Sequence, residues 1–271
     1  MAIDNFIPEI WAAGVTTAYQ QAQIVIPTLN SAYQGDASRG NTVNIINATI
    51  PTITDYAAAG RVISAEALAD TEVQLLIDQE NAFSVNIDDV DAVQAAGTFD
   101  AWVSGAGKGL AESAEAYVLA QLLAGATNGQ ESTPVAVDTA DEAKAALRKI
   151  RTLLTKAKVP ASDRFVAVNP AFADLLISGM SDVAAAGGDN ELRNGIVARM
   201  YGLTVLETPL FAEATKPVAV GYHAGAAAFV SQIDKVESLR NPTKFADIVR
   251  GLNVFGAKVV KAAGVVKYVS A

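Results

Sequence analysis

Apolar and polar positions alternate with period two in three stretches of the front part of the chain. The first is Thr42-Val43-Asn44-Ile45-Ile46-Asn47-Ala48-Thr49-Ile50, ended by Pro51. The second carries Val73, Leu75 and Ile77, and the third Phe83, Val85 and Ile87. Alternation rich in β-branched residues predicts strands with one buried face. Together the three stretches predict an extended β arm from Gly40 to Gln94. A two-stranded excursion of that length has too little apolar face to offset the ordering of its backbone. The pattern therefore predicts an arm completed by another copy of the chain.

Elsewhere the period is helical. Phe6, Ile7, Ile10, Trp11, Val15 and Tyr19 predict a helix over 8–24, with Pro8 in its first turn. Such a helix docks either on its own core or on a neighbour. Val103, Leu110, Tyr117, Val118 and Leu122 place an apolar stripe on a long helix over 99–123. Gly105, Gly107 and Gly109 lie inside it. Each costs up to about 1 kcal/mol against alanine, which predicts close packing or a bend there. Thr139 followed by Glu142 opens a second helix as a capping box. Its apolar face is Ala143, Ala146, Leu147, Ile150, Leu153 and Leu154, and Lys144, Arg148, Arg151 and Lys158 line another. Acid at the start and base at the end match the helix dipole. A short buried strand over Arg164-Phe165-Val166-Ala167-Val168-Asn169-Pro170, a helix beginning over Pro170 to Ile177, and a strand from Val205 into a turn at Pro209 follow. Further strands are predicted over 218–221, 226–230, 248–255, 258–260 and 265–269. The class is α+β, with strand partners distant in sequence.

Half of the 271 residues are apolar and aromatics are scarce. Many of the apolar residues are alanine, which suits flat, layered packing. The absence of cysteine excludes disulfides and thiolate metal sites and fits synthesis in a reducing cytosol. A net charge of −9 and a pI near 4.7 argue against a general coat for nucleic acid, though not against a container that avoids sticking to it. The charge is unevenly placed: only Arg39 and Arg61 precede Lys108 among basic residues. An acidic front and a more basic back favour contacts between copies. The N-terminus has neither the basic start nor the apolar run of a signal peptide, and no window reaches the length of a membrane span. A soluble protein is expected, with no membrane partner.

Catalytic and cofactor patterns are poorly supported. His223 is the only histidine, so a multi-histidine metal site is excluded, and no Gly-x-Ser-x-Gly elbow accompanies it. Its position after a strand predicts a structural polar role. Gly105-Ala106-Gly107-Lys108-Gly109 fails as a phosphate loop because Lys108 is followed by glycine and the earlier glycine is missing. Asp88, Asp89 and Asp91 lack the spacing of a calcium loop. The sequence predicts no enzyme, no metal and no cofactor.

The order of these features resembles the major capsid proteins of tailed bacteriophages, with the Hong Kong 97-type fold. Phe6-Ile7-Pro8-Glu9-Ile10-Trp11 with Tyr33-Gln34-Gly35 is similar to the N-arm of that family. Gly40 to Ile45, Ala67 to Asp70 and Leu76-Ile77-Asp78 are similar to its extended E-loop. Arg164 to Pro170 with Gly202 to Pro209 resembles the axial-domain core, and Val236 to Arg240, Phe245 and Gly251 to Val260 resemble the closing peripheral strands. The resemblance implies an N-arm over 1–40 and an E-loop with flanking segments over 41–94. It further implies a peripheral domain with a spine helix over 95–130, an axial domain over 131–225, and return strands of the peripheral domain over 226–271. It implies hexamers and pentamers tiling an icosahedral shell around double-stranded DNA bound without sequence specificity. Scaffolding and portal proteins would be assembly partners, assembly would take place in the host bacterial cytoplasm, and the product would be the virion capsid.

A bacterial nanocompartment shell of the same fold is the alternative, with a soluble enzyme or a tail or surface-layer protein further off. The length before the arm leads us to expect no long fused scaffold. The charge pattern suggests that Glu66, Asp70, Glu72, Asp78 and Glu80 lie across a neighbour's basic surface, with Trp11 in the N-arm contact. That surface would be drawn from Arg240, Lys244, Lys258 and Lys261, or from the helix bearing Lys144, Arg148 and Arg151. Some members of the family cross-link their shells through an E-loop lysine. Here the arm has none, so no such cross-link is expected.

Overall fold

The computed structural model describes residues 19, 23–33, 41–48, 52–62, 70–88, 100–128, 136–179, 199–213 and 215–271. Its strands are β1 (Thr42–Ala48), β2 (Asp70–Leu76), β3 (Gln79–Asp88), β4 (Thr127–Asn128), β5 (Arg164–Val168), β6 (Thr204–Glu207), β7 (Val218–His223), β8 (Ala227–Arg240), β9 (Ala246–Val259) and β10 (Val265–Val269). The helices are α1 (Asp100–Gly125), α2 (Ala140–Lys156) and α3 (Pro170–Ser178). They build a two-stranded ribbon β1-β2, a three-stranded sheet β3-β9-β8 and a five-stranded sheet β4-β10-β7-β5-β6.

The five-stranded sheet is buried on both faces, which is why β5 and β7 read as unbroken apolar runs. One face takes α2 and α3 through Ala146, Leu147, Ile150, Leu154, Phe172 and Leu176. The other joins α1 through Val118, Leu119 and Leu122, together with Val25, Ile26 and Leu29. Helix α2 begins as its sequence predicts. Thr139 Oγ1 accepts from the Glu142 amide and Glu142 Oε2 accepts from the Thr139 amide, closing a capping box. The Asp138 amide also donates to Glu142, and these bonds hold its carboxyl below the usual range. Asn169 caps α3 by accepting from the Phe172 amide, and its own side-chain amide donates to the Lys216 carbonyl.

Several expectations change. The two predicted strands over 248–255 and 258–260 form one strand, β9, which extends back to Ala246. β8 reaches Arg240, well beyond 230, because it pairs along β9 as a long hairpin with one irregularity between Ser231 and Ile233. β10, placed by resemblance among the peripheral return strands, sits inside the five-stranded sheet between β4 and β7. Gly105 and Gly109 need neither close packing nor a bend, since a Cβ at either would have nothing within 4 Å. The whole Gly105–Gly109 segment is helical, which removes any phosphate-loop geometry. Of the helix expected over 8–24, Tyr19 is helical, residues 23–25 are not, and the rest lies outside the described residues.

The arm is also better supported by its own chain than its pattern suggests. β3 pairs with β9 over its full length, from Gln79 opposite Phe255 to Asp88 opposite Ala246. At the base of the ribbon, Val43, Ile45, Leu75 and Ile77 bury against Ala228, Val230 and Val254. Gly256 makes this crossing feasible: a Cβ there would stand 2.1 Å from the Leu76 carbonyl oxygen. What stays exposed among the described residues is narrower: Ile46 and Leu76 on the outer face of β1-β2, and Ile53, Tyr56 and Val62 beyond it.

Candidate functional site

In the ribbon, β1 and β2 pair antiparallel with Val43 opposite Leu75 and Ile45 opposite Val73 on the covered face. The opposite face pairs Thr42 with Leu76, Asn44 with Gln74 and Ile46 with Glu72. Period-two geometry turns these side chains outward, and Ile46, Leu76 and Glu72 are exposed.

The tip over 52–62 is built, not loose chain. Asp55 Oδ1 accepts from the Ala57 and Ala58 amides at 3.0 and 3.3 Å. Backbone bonds from Ala59 to Asp55 and from Arg61 to Tyr56 close the turn. Gly60 and Arg61 take φ of +66° and +63°, a left-handed pair that reverses the chain. This turn presents Ile53, which is 88% exposed, with Tyr56 and Val62. Large apolar groups held outward by a hydrogen-bonded turn mark a contact surface.

A second such surface lies at the far end of the β8-β9 hairpin. Asn241 accepts from the Thr243 amide and hydroxyl, and its own amide bonds the Ala246 carbonyl, so the turn is fixed. It projects Phe245, 81% exposed, beside exposed Lys244, with Leu239 on the approaching strand.

The residues singled out by charge fall in different environments. Glu72, Asp78 and Glu80 are exposed on the ribbon and at the start of β3. Asp78 also accepts from Gln79 Nε2 and from Tyr117 Oη at 3.3 Å, which ties the β2-β3 corner to α1. Burial, then the Asp78 charge, raises the Tyr117 pKa. The backbone of Asp70 pairs with Ala48. Glu66 and Trp11 lie outside the described residues. Lys144 is taken up internally: its Nζ donates to the Gly179 carbonyl at 2.8 Å and stands 4.0 Å from Asp141. Arg240 pairs with Asp247 at 3.1 Å, and Arg250 with Glu237 at 2.7 Å. Arg148 and Arg151 are exposed on the outer face of α2.

Polar groups elsewhere are structural. His223 Nδ1 accepts from the Gly225 amide at 3.0 Å and caps a single 3₁₀ turn. No group of three His, Cys, Asp or Glu side chains fit to hold a metal occurs among the described residues. No helix of the described residues is long and apolar enough to cross a membrane. Glu115, which sequence patterning did not single out, is 1% exposed on α1. One of its oxygens accepts from three successive amides, Ile24, Val25 at 2.6 Å and Ile26 at 3.4 Å. It thereby fastens the segment after Tyr19 to the long helix. Its helical offset from Ala111, Val118 and Leu122 on the buried face was the available signal.

The arrangement is thus an anchored ribbon with an apolar tip, a fixed hairpin end and two helix-covered layers. Comparison with known proteins gives it a family. A family model described as "Phage capsid protein" matches residues 71–268. The chain belongs to the phage capsid protein family. A solved structure from Mycobacterium phage Che8 is 37% identical, with a TM-score of 0.79 over 91% of each chain. The capsid of Cyanophage P-SCSP1u is 17% identical, with a TM-score of 0.70 over 86% of this chain and 84% of that one, and shows the shared fold. A virus-like particle from Pyrococcus furiosus, 11% identical with a TM-score of 0.61, covers 96% of this chain and 98% of that one and likewise shows the fold alone. No curated protein matches the chain. The capsid protein is accordingly a structural major capsid protein of the Hong Kong 97 type, its place is the virion capsid, and the nanocompartment reading is the less favoured.

Proposed function

We propose that this capsid protein closes its shell, as hexamers and pentamers of itself, by laying the β1-β2 ribbon of each copy across a neighbour. The observation that carries this reading is the hydrogen-bonded tip that holds Ile53, Tyr56 and Val62 in solvent. The receiving surface is the β8-β9 hairpin end with Phe245 and Lys244. Both partners combine large apolar side chains with charge of opposite sign, acidic through Glu72 on the ribbon and through Asp78 and Glu80 at its base. Buried apolar area, at about 25 cal/mol per Å², supplies the attraction. Exposed ion pairs add only about 0–1 kcal/mol each and chiefly set register and rate. Such contacts are weak singly, so misplaced subunits can leave, and their number makes the closed lattice persistent.

In this reading residues 1–40 form the N-arm, 41–94 the E-loop with its flanks, 95–130 the spine-helix part of the peripheral domain, 131–225 the axial domain and 226–271 the return strands of the peripheral domain, save that β10 pairs with β7 in the five-stranded sheet. The shell encloses double-stranded DNA, scaffolding and portal proteins direct its assembly, and assembly takes place in the host cytoplasm. No catalytic step is assigned to the subunit. The test is the double variant Ile53→Asp with Val62→Asp, at positions that touch nothing in the core. The variant should fold with an unchanged circular dichroism spectrum and form no particles by negative-stain microscopy. Shells in normal yield would refute the role of the tip.

A further inference from the structure

Helix α2 carries the densest positive charge in a chain whose net charge is −9. From Ala145 to Val159 it has Arg148, Lys149, Arg151, Lys156 and Lys158 and no acidic residue. Helical spacing puts Arg148, Arg151, Thr152 and Thr155 on one outward stripe, opposite the buried Ala146, Leu147, Ile150 and Leu154. The Thr152 and Thr155 hydroxyls donate to the Arg148 and Arg151 carbonyls. Arg148 and Arg151 have no ion-pair partner among the described residues. Favourable interaction with the helix dipole accounts for cations in the last turn, where Lys156 stands, but not for two arginines further up the helix.

The charge is also crowded from below. Arg164 is buried, with its guanidinium fixed by the Pro160 and Val159 carbonyls and by Thr155 Oγ1. Burial, and then the charge of Arg151, lowers its pKa. Like charges packed together, with no ion-pair partner for Arg148 or Arg151 among the described residues, favour an anion from outside. Past the helix end the stripe runs into a cleft of about 270 Å³ whose lining includes Lys158, His223 and Lys261. Because His223 Nδ1 accepts a hydrogen bond, the proton of the neutral ring sits on Nε2, leaving a donor. Asp163 is the one acid on the adjoining loop.

We propose that the outer face of α2 and this cleft form a docking surface for the phosphodiester backbone of duplex DNA. The proposal rests on the shell reading for the source of the polyanion. The acidic ribbon of a second copy is the rival occupant, and the chemistry of the face disfavours it. The ribbon brings exposed Ile46, Ile53, Tyr56 and Val62, whereas no large apolar side chain is exposed on α2. Cations on a helix face that exposes no large apolar side chain suit phosphates, which are read by charge and hydrogen bonds without regard to sequence. The net negative charge of the rest of the subunit keeps the contact local and modest, so a shell holds its contents without adhering over its whole wall.

The test is fluorescence anisotropy of a labelled random-sequence duplex, titrated with the full chain below its assembly concentration at several salt concentrations. Binding should weaken steeply with salt. Arg148→Gln with Arg151→Gln should cut affinity at least about tenfold and lower the log–log salt slope by about two. Lys158→Gln with Lys261→Gln, which leaves the helix intact, should weaken binding in the same direction. Both pairs should keep the parent melting curve and still form shells, so loss of DNA binding with intact shells separates this proposal from the shell reading. Unchanged duplex affinity in both variants would overturn it. So would binding of a labelled peptide of residues 70–80 in place of the duplex, or binding of inorganic phosphate alone.

Discussion

One oxygen of Glu115 lies under three amides, while the other is buried with no hydrogen-bond partner among the described residues. Desolvation outweighs the amides of Val25, Ile24 and Ile26 and raises its pKa above the usual 4.5. Tyr222 faces it across the core, bonded to Thr28 Oγ1 at 2.6 Å, and its own pKa is raised by burial, so that hydroxyl stays neutral. A carboxyl whose folded pKa exceeds its unfolded value contributes stability at low pH and loses it as pH rises through the folded pKa. Urea midpoints should therefore show a fall attributable to this site as pH rises above the usual carboxylate range, and Glu115→Gln should flatten that part of the profile. Glu115→Ala is expected to behave differently. It strands the buried amides of Val25 and Ile26 at about 1–3 kcal/mol each, so the melting temperature should drop by about 5 °C or more. A melting curve like that of the parent would show that the segment at Ile24 is held by its apolar contacts alone.

Among the elements, the β1-β2 ribbon shows how a close approach decides an architecture. Its base crosses β9 where Gly256 leaves room for the backbone at Leu76 and Ile77. Backbone cannot move aside as a flexible side chain does, so Gly256→Ala should cost about 1–3 kcal/mol. Differential scanning calorimetry should show a lower melting temperature, and proteolysis should reach the ribbon first. Equal stability would mean that the ribbon base is not held as described. Strands β1 to β3, α1 and the start of α2 were legible in the sequence because alternation, the stripe at Leu110, Val118 and Leu122, and the Thr139–Glu142 box are local signals, whereas β4 and the outer half of β8 were not. The pairing of β3 with β9 was not, because it joins residues more than 150 positions apart with no mark in either strand alone. The apolar tip was missed for another reason. Ile53, Tyr56 and Val62 follow no period, and only the turn at Asp55 shows that they face outward.

At the scale of the whole molecule, the uneven charge and the projecting ribbon describe a part made to meet copies of itself. Lys108 is the first lysine in the chain, so the ribbon offers no amine for an isopeptide bond to a neighbour. Mature particles boiled in detergent should run as a single subunit band on a denaturing gel. A ladder of covalent multimers would contradict this and would point to lysines outside the ribbon, such as Lys244 or Lys258. The candidate charged residues were only partly informative at this scale. Their sign could be read in advance, but Lys144 and Arg240 proved to be engaged within the subunit, by Gly179 and Asp247.

Strand and helix periods, the absence of cysteine, the lone histidine and the lysine-free arm were set by the sequence itself, because each depends on residue type and near neighbours. Which faces remain uncovered was decided by tertiary structure. Whether Val43 or Ile46 points inward, whether Arg148 or Lys144 is free, and whether Glu115 is buried all depend on segments brought together from far along the chain. Exposure belongs to the packed subunit, and a shell protein works through what its packing leaves exposed.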